Sequence, residues 1–358
     1  MKASKFLKIF ISIFLVFLAF HSFVWYFYTS NIFGRKDNLY IGDLARVSYQ
    51  VDALHPRKLE YTLEKKHLNA HNYNTKQLDI LSVGDSFSNA DTGGLNPYYQ
   101  DYIATIYNQN ILNLKRNSEE LNSLELLIGL YNNGWLEKHK PKYIILQMVE
   151  RFAIETHAKD FNWNFVLDKD KEIIADYKTK DSYIPELNFI NTANYKFILY
   201  SLKYNFTKKG HKYYPKLQLK KNFFSSKTYS NSLLISYEDI KYASTSDDSR
   251  IKKLNSNLNK LAKLLKSLDI KLIYMPAVDK YDLYYDFIDN NPFAKNYFFN
   301  LLEQEHKNYI FINTKEILLK SLRNGEVDIF YADDTHWSYK ASEKLISDES
   351  FQRIFKNE

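Results

Sequence analysis

The sequence predicts an α/β protein with a parallel sheet, preceded by one N-terminal transmembrane helix. Two patterns predict it. Residues 9–28 are twenty positions without a charge, and from residue 78 onward short apolar runs alternate with amphipathic stretches. Runs that are apolar throughout are typical of strands buried on both faces, as in parallel sheets covered by helices.

The N-terminal apolar run is long enough to cross a membrane. At 1.5 Å per residue, residues 9–28 span about 30 Å, the hydrocarbon thickness of a bilayer. Lys2, Lys5 and Lys8 precede the run, which favours a cytoplasmic N-terminus with the rest of the chain outside. A cleaved signal peptide and a buried core helix are the alternatives, but the run is long, lacks a small-residue cleavage site and is not amphipathic. We therefore predict an inner-membrane anchor over residues 1–30, with the remaining chain in the periplasm or at the cell exterior.

The remaining chain is predicted to consist of a spacer, residues 31–76, with a helix at 57–71, and a catalytic domain, residues 77–358. Residues 153–245 break the strand and helix alternation and are predicted to be an insertion. In 246–270, leucines recur at spacings of three and four behind a Ser/Asp cap, which predicts a helix. The other predicted elements are strands at 78–83, 110–114, 141–152, 271–277 and 309–314, and helices at 118–136, 193–206, 294–306, 315–324 and from about Ser338.

Composition narrows the chemistry. The chain has no cysteine, which excludes disulfides, zinc–thiolate sites and cysteine nucleophiles. Its formal net charge of +7 favours anionic partners such as acidic polymers or lipid headgroups. Nucleic acid is not expected, because the lysines are scattered among acidic residues and no binding motif accompanies them.

Two short stretches carry the candidate chemistry. In "VGDSFS", Ser86 directly follows a predicted buried strand, at the sheet edge where ligands bind in open α/β sheets. A serine acts as a nucleophile when a histidine accepts its proton and a carboxylate orients that histidine, and "DDTHW", residues 333–337, contains both. Helix capping by either stretch is the plain structural alternative. A metal site needs ligands from elsewhere and no second cluster has ligand spacing, so we predict neither metal nor cofactor.

These stretches resemble those of a known superfamily. "GDSFS" and "DDTHW" are similar to the first and last blocks of the SGNH (GDSL-like) hydrolases. The final block resembles the D-T-H-W form of the alginate O-acetyltransferase-like proteins, and "VER" (149–151) and "MPAVDKYDLYY" (275–285) also resemble segments of that subgroup. The G-x-N-D block of the superfamily is absent, and the D-T-H-W block follows the serine here, whereas it precedes the serine in the alginate proteins.

The resemblance implies a flavodoxin-like three-layer α/β/α fold with Ser86 as nucleophile and His336 as base. Asp334 is the expected orienting acid, and Asp333, at the D-x-x-H spacing of ordinary SGNH enzymes, is the alternative. The implied function is extracytoplasmic O-acyl transfer, with acetyl as the expected group, to a cell-envelope or exported polysaccharide. The implied partner is a polytopic membrane O-acyltransferase that supplies acyl groups.

Further residues are candidates for oxyanion or substrate contacts: Asn117, Ser118, Glu150, Arg151, Lys280, Tyr281 and Trp337. The Ser86 amide is the expected first oxyanion donor, and Asn117, Ser118 or Arg151 the second. Glu150 and Arg151 can instead form an ion pair at a strand end, and Trp337 can pack beneath the histidine or stack on a sugar.

Three other functions fit the same sequence. One is the D-alanine transfer protein of teichoic acid synthesis, and another is a carbohydrate esterase or deacetylase with the same triad. The third is a non-catalytic polysaccharide-binding scaffold.

Overall fold

An N-terminal helix, α1 (Ala3–Val24), continues into a π-helical turn over Trp25–Thr29. The computed structural model describes residues 3–29, 42–48, 61–69, 73, 77–89, 96–115, 121–167, 189–190, 192–207, 212–226 and 230–355. The span Ala3–Phe27 is long and apolar enough to cross a membrane, and only 11% of its most apolar window is buried in the protein. This low burial contradicts the alternative of a core helix, whose side chains would be enclosed.

A six-stranded parallel sheet forms the centre of the domain and confirms the predicted α/β class. Its strands are β1 (Leu68–Asn69), β2 (Ile80–Gly84), β3 (Ile111–Lys115), β4 (Tyr143–Val149), β7 (Lys271–Ala277) and β8 (Ile310–Phe311), and two further strands, β5 (Lys216–Gln218) and β6 (Ser232–Leu234), form an antiparallel pair. The order in the sheet is β1-β3-β2-β4-β7-β8. Every residue of β2 and β4 is buried, which explains why their sequences are apolar except for Ser82 and Gln147, whose side chains are hydrogen-bonded.

Helices surround this sheet. They are α2 (Asp43–Ser48), α3 (Ser86–Asn89), α4 (Tyr99–Ile106), α5 (Ser123–Asn132), α6 (Trp135–His139), α7 (Glu150–His157), α8 (Thr192–Thr207), α9 (Tyr237–Ala243), α10 (Asp248–Lys266), α11 (Lys280–Tyr284), α12 (Phe298–Gln304), α13 (Thr314–Arg323), α14 (Tyr339–Ser347) and α15 (Glu349–Phe355). One group packs α14 against α4, α13 and α15, and another packs α10 against α5, α7 and α12. Because β2 connects to β3 in one direction and the later strands are added in the other, the usual right-handed crossovers are expected to place these groups on opposite faces.

Most predicted elements are present, with different ends. The helix expected from residue 118 begins at Ser123, where Asn122 accepts the amides of Leu124 and Glu125 in a capping box. The strand expected over 141–152 ends at Val149, and a helix begins at the next residue.

The helix predicted at 57–71 is wrong in its described part. Residues 61–67 are irregular, and β1 extends the sheet by pairing in parallel with β3. Residues 42–48 also lie against the domain, where the Ala45 amide donates to the Asp333 carbonyl at 3.1 Å. The described part of the predicted spacer therefore contributes structure to the domain.

The region predicted as an insertion contributes to the core of the domain as well. Leu219, Phe223 and Ile235 are buried in the main hydrophobic cluster, and α9 packs against α7 and α11. The predicted helix at 193–206 is present as α8.

The carboxyl ends of β2 and β4 meet where the direction of strand addition reverses. Gly84 ends β2 and Val149 ends β4, two neighbouring strands. Ligands of open α/β sheets bind at this switch point, outside the carboxyl ends of the strands. Ser86 follows β2 by two residues, so the fold places it at this edge.

Candidate active site

The turn that carries Ser86 is fixed by the aspartate before it. Asp85 Oδ1 accepts the Phe87 amide at 2.9 Å, and Asp85 Oδ2 accepts the Val149 amide at 2.5 Å. The first bond shapes the turn into α3 and the second ties it to the end of β4. Ser86 is consequently presented at the sheet edge by backbone that is held from two sides.

Ser86, His336 and Asp334 form one hydrogen-bonded chain. The distance between Ser86 Oγ and His336 Nε2 is 2.7 Å, and that between His336 Nδ1 and Asp334 Oδ1 is also 2.7 Å. Because a carboxylate only accepts, Nδ1 carries the proton and Nε2 is left to accept from the serine hydroxyl. This tautomer is the one that a general base for serine requires.

The geometry separates the two aspartates that the sequence left as alternatives. Asp334 Oδ1 accepts from both the ring and the backbone amide of His336, the latter at 2.9 Å. Asp333 Oδ2 instead accepts the Gly42 amide at 2.8 Å. Asp334 therefore orients His336, while Asp333 binds another part of the chain.

Segment 42–48, which lies within the predicted spacer, is the part of the chain that Asp333 binds. Asp43 accepts hydrogen bonds from Thr335, through the amide at 2.8 Å and the hydroxyl at 2.5 Å. Asp43 Oδ2 also lies 3.8 Å from His336 Nδ1, and the Asp43 amide donates to Asp334 Oδ2 at 3.2 Å. A second carboxylate thus reaches the histidine from a segment about 290 positions away in the chain. In the sequence, the only local sign of this contact is the glycine directly before an acidic residue, Gly42-Asp43.

Close approach at this contact explains why a glycine precedes Asp43. A Cβ on Gly42 would lie 2.0 Å from the Asp333 carbonyl oxygen and 2.7 Å from the Asp334 amide nitrogen. Both neighbours are backbone atoms, which cannot rotate away. Any larger residue at position 42 would therefore displace one of the two segments.

The negative charges around His336 and its burial act on its pKa in opposite directions. Burial alone lowers the pKa of His336, but the negative charge of Asp334, the hydrogen bond from Nδ1 to it and the charge of Asp43 together raise the pKa above its usual value of 6.5. The pKa of Asp43 is raised in turn, first by burial and then by the neighbouring Asp334. His336 is thus a stronger base than a free histidine.

Lys280 holds the loop that carries the histidine. Its Nζ donates to the carbonyls of Tyr331, Ala332 and Asp334 at 2.7, 2.9 and 3.0 Å. The residue is 1% exposed, and burial lowers its pKa to about 8 against the raising effect of nearby acids. All three donor positions of the ammonium group bind backbone.

Lys280 and Tyr281, the predicted substrate contacts, are not among the residues that line the cleft beside Ser86. Both residues begin α11 and are buried. The Tyr281 hydroxyl donates to the Ala294 carbonyl at 3.0 Å. Three residues after β7 the chain enters a packed helix, which places both side chains in the interior.

Glu150 and Arg151 also point into the protein. Arg151 forms buried ion pairs with Asp279 and with Asp239, the latter at 3.3 Å. Glu150 Oε2 accepts the Asp279 amide at 2.9 Å, and burial, followed by the nearby charge of Asp282, raises the pKa of Glu150 well above its usual value. Arg151 therefore forms ion pairs that connect α7 to α9 and to the residue before α11, and Glu150 bonds that same residue through its amide.

A small cleft lies beside the serine and histidine. Its volume is about 20 Å³, room for roughly one water molecule. Trp337 is 5% exposed and packs edge-on against Phe87, with ring centroids 4.9 Å apart. The lining residues are Ser86, Phe87, Asn96, Pro97, Tyr98, Tyr331, His336, Trp337, Ser338, Tyr339 and Ser342. Five of these eleven residues carry aromatic rings of Phe, Tyr or Trp, and Trp337 lines the cleft while packing against Phe87.

Two predicted oxyanion residues, Asn117 and Ser118, lie outside the described residues. The Ser86 amide is at the first position of α3, beside its own hydroxyl. Arg151, the third candidate for the second donor, uses its Nη1 for the two buried aspartates.

Oxygen and nitrogen atoms of Asp43, Asp334 and His336 lie within 4.8 Å of one another, close enough to share a metal ion. The Nδ1 proton of His336 already bonds Asp334, and Nε2 bonds Ser86. A metal ion on Nδ1 would replace the hydrogen bond that orients the histidine. The observed contacts therefore favour proton transfer over metal binding at these atoms.

No protein-family model, curated protein or solved structure matches this chain.

Proposed function

We propose that the protein is a membrane-anchored, extracytoplasmic O-acyltransferase of SGNH type that acetylates a cell-envelope or exported polysaccharide. The observation that carries the proposal is the hydrogen-bonded chain from Ser86 through His336 to Asp334. A nucleophile, its base and the group that orients the base are the parts needed for acyl transfer through a covalent ester.

The proposed reaction has two halves. Ser86 Oγ attacks the carbonyl carbon of the acyl donor while His336 Nε2 takes the serine proton. The protonated histidine then gives that proton to the departing oxygen, which leaves an acyl–Ser86 ester. In the second half His336 takes a proton from a sugar hydroxyl, the sugar oxygen attacks the ester, and the proton returns to Ser86. Asp334 keeps Nδ1 protonated throughout, and Asp43 adds a second negative charge that stabilises the imidazolium.

The fold is compatible with this assignment. Strands β3, β2, β4, β7 and β8 follow one another in the flavodoxin-like order 2-1-3-4-5, with β1 added at the edge. Ser86 lies at the switch point of that order, and the histidine loop follows the last strand. Both placements support the SGNH assignment drawn from the motifs.

The acceptor is proposed from the walls of the cleft. Tyr98, Tyr331 and Tyr339 line it together with Trp337, and aromatic rings that carry a polar group suit the mixed surface of a sugar. The net charge of +7 favours an acidic polymer. The acyl donor is proposed to be presented by a polytopic membrane acyltransferase, as the motif resemblance implies.

The location follows from the N-terminal helix. Lysines at positions 2, 5 and 8 precede the apolar span, so the N-terminus is proposed to remain in the cytoplasm. The domain would then face the periplasm or the cell exterior, where exported polysaccharide is available.

Intact-protein mass spectrometry tests the proposal. The full chain in detergent is incubated with an acetyl ester, with and without oligosaccharide. We expect a gain of one acetyl group on the protein and, when sugar is added, its appearance on the sugar. Acetyl that always passes to water makes the protein an esterase, and a protein that gains no acetyl contradicts the proposed chemistry.

Two serine variants locate the acetyl group. Ser86→Ala is expected to abolish the mass gain. Ser88→Ala is the matched control, because Ser88 lies on the same turn but is 1% exposed and bonds Gln147 and Tyr99 instead of the histidine. Labelling that survives in Ser86→Ala would place the nucleophile elsewhere.

A further inference from the structure

Helix α8, from the region predicted as an insertion, carries an exposed apolar stripe. Tyr195, Leu199, Leu202 and Phe206 follow one another at spacings of four, three and four, so they lie on one face of the helix. Their exposed fractions are 39, 65, 49 and 84%. Four large apolar side chains in a row are unusual on a water-facing surface.

The other side of α8 makes the contacts with the protein. Asn194 is fully buried and Phe197 is 8% exposed. The Tyr204 hydroxyl donates to the Ser48 carbonyl at 2.9 Å, and Ser48 ends the segment that binds the histidine loop. Beyond Tyr195, the stripe is therefore not the face by which the helix packs on the protein.

One end of α8 lies against the N-terminal apolar helix. His21 Nδ1 accepts from Asn194 Nδ2 at 3.0 Å, and His21 Nε2 donates to the Tyr195 hydroxyl. The rings of Phe17 and Phe20 lie 6.5 and 6.1 Å from that of Tyr195. Both nitrogens of the one histidine in α1 are thus satisfied by α8.

The position of His21 sets the depth of this contact. If residues 9–28 fill the hydrocarbon layer, His21 lies seven residues before the outer end, about 10 Å inside it. Polar side chains at such depth pair with other polar groups, and Asn194 and Tyr195 supply that pairing. The first turn of α8 would then lie in the outer half of the bilayer, while Tyr204 connects the helix to the domain.

We propose that the α8 stripe is a lipid-binding surface, and that α8 lies in the outer leaflet and holds the domain against the membrane. The proposal rests on the membrane anchoring included in the proposed function. The stripe is adjacent to the exposed apolar surface of α1 at Tyr195, so lipid around α1 would also meet α8. Lys196 and Lys203 are exposed roughly 70–90° around the helix from the centre of the stripe, where their ammonium groups would reach anionic headgroups.

Depth-dependent fluorescence quenching tests this placement, and the absence of cysteine in the chain makes single labels simple to introduce. Leu199→Cys and Leu202→Cys are labelled with an environment-sensitive dye and reconstituted in vesicles of phosphatidylethanolamine and phosphatidylglycerol that contain nitroxide-labelled lipid. Leu15→Cys in α1 is the positive control. Lys252→Cys, exposed on α10, is the negative control.

We expect the Leu199 and Leu202 labels to lose emission to the lipid quencher as the Leu15 label does, while the Lys252 label keeps its emission. If the Leu15 label is quenched and the two α8 labels behave like the Lys252 label, the stripe does not face lipid and the inference is overturned. If the Leu15 label is also unquenched, the membrane anchor itself is wrong. The acetyl-transfer assay is separate from this readout, so failure of the catalytic proposal is recognised independently.

Discussion

Replacing Gly42 with alanine tests whether segment 42–48 positions the loop that contains Asp333, Asp334 and His336. The added Cβ would lie 2.0 Å from the Asp333 oxygen, whereas ordinary contact begins at 3.4 Å. The segment must therefore retreat by about 1.4 Å, which stretches the 2.8 Å bond from the Gly42 amide to Asp333 beyond hydrogen-bond range. The bonds between Asp43 and Thr335 depend on the same approach.

The expected cost follows from this displacement. A shift of about 1 Å in groups that support a catalytic residue can reduce the rate about 10²-fold, which corresponds to about 2.7 kcal/mol of transition-state stabilisation. We expect a decrease of that size in kcat/KM, because Asp43 would no longer lie beside His336 and the loop would lose its outer support.

Hydrolysis of a chromogenic acetyl ester by the full chain in detergent measures this effect. Gly325→Ala is the matched control, because Gly325 has φ +85° and its added Cβ would meet nothing within 4 Å. That variant should lose about 1 kcal/mol of unfolding free energy and keep its kcat/KM. Wild-type kcat/KM in Gly42→Ala would refute the positioning role, and an equal loss in Gly325→Ala would show that the effect is one of general stability.

Three other outcomes are expected. Asp334→Asn should lower kcat by about 10⁴-fold by disfavouring the required tautomer, whereas Asp333→Asn should change it far less; the same ester assay checks both. His336 accepts a proton only when it is neutral, so kcat/KM should fall as the pH drops below the pKa of His336, which is raised above 6.5. Asp43→Asn, which removes a charge that raises that pKa, should move this acid limb to lower pH; an unchanged limb would contradict the assignment. Lys280→Met should lower the unfolding free energy by about 3 kcal/mol, measured by urea denaturation, because three carbonyls lose their donor.

The positions of the main strands could be predicted from the sequence because burial on both faces requires continuous apolar runs. The strand predicted at 271–277 matches β7, and the run before Ser86 matches β2 within two residues at its start. The short edge strand β1 could not be predicted, because its two residues have neither an apolar run nor alternation, and its pairing with β3 depends on the neighbouring strand.

Two charged residues near the site, Lys280 and Arg151, show a second limit of prediction from the sequence. Lys280 follows one predicted strand and Arg151 lies at the end of another, where exposed functional side chains are expected, yet both are buried against backbone carbonyls or aspartates. The local sequence near the end of a strand does not distinguish a charged side chain that faces a cleft from one that faces the interior. The surroundings of these side chains come from distant parts of the chain: Arg151 meets Asp239 of α9, and Lys280 meets carbonyls of residues 331–334.

The sequence by itself determined the apolar N-terminal span, the α/β class, and a serine, a histidine and two aspartates of the right types for acyl transfer. Local patterns carry this information, since periodicity and neighbouring residues report on burial and on chemical type. Tertiary structure alone decided that Asp334 bonds the histidine while Asp333 and Asp43 connect the loop to segment 42–48. The contacts of Asp333 and Asp43 join residues 291 or more positions apart, so their existence depends on how the chain packs and not on any local pattern.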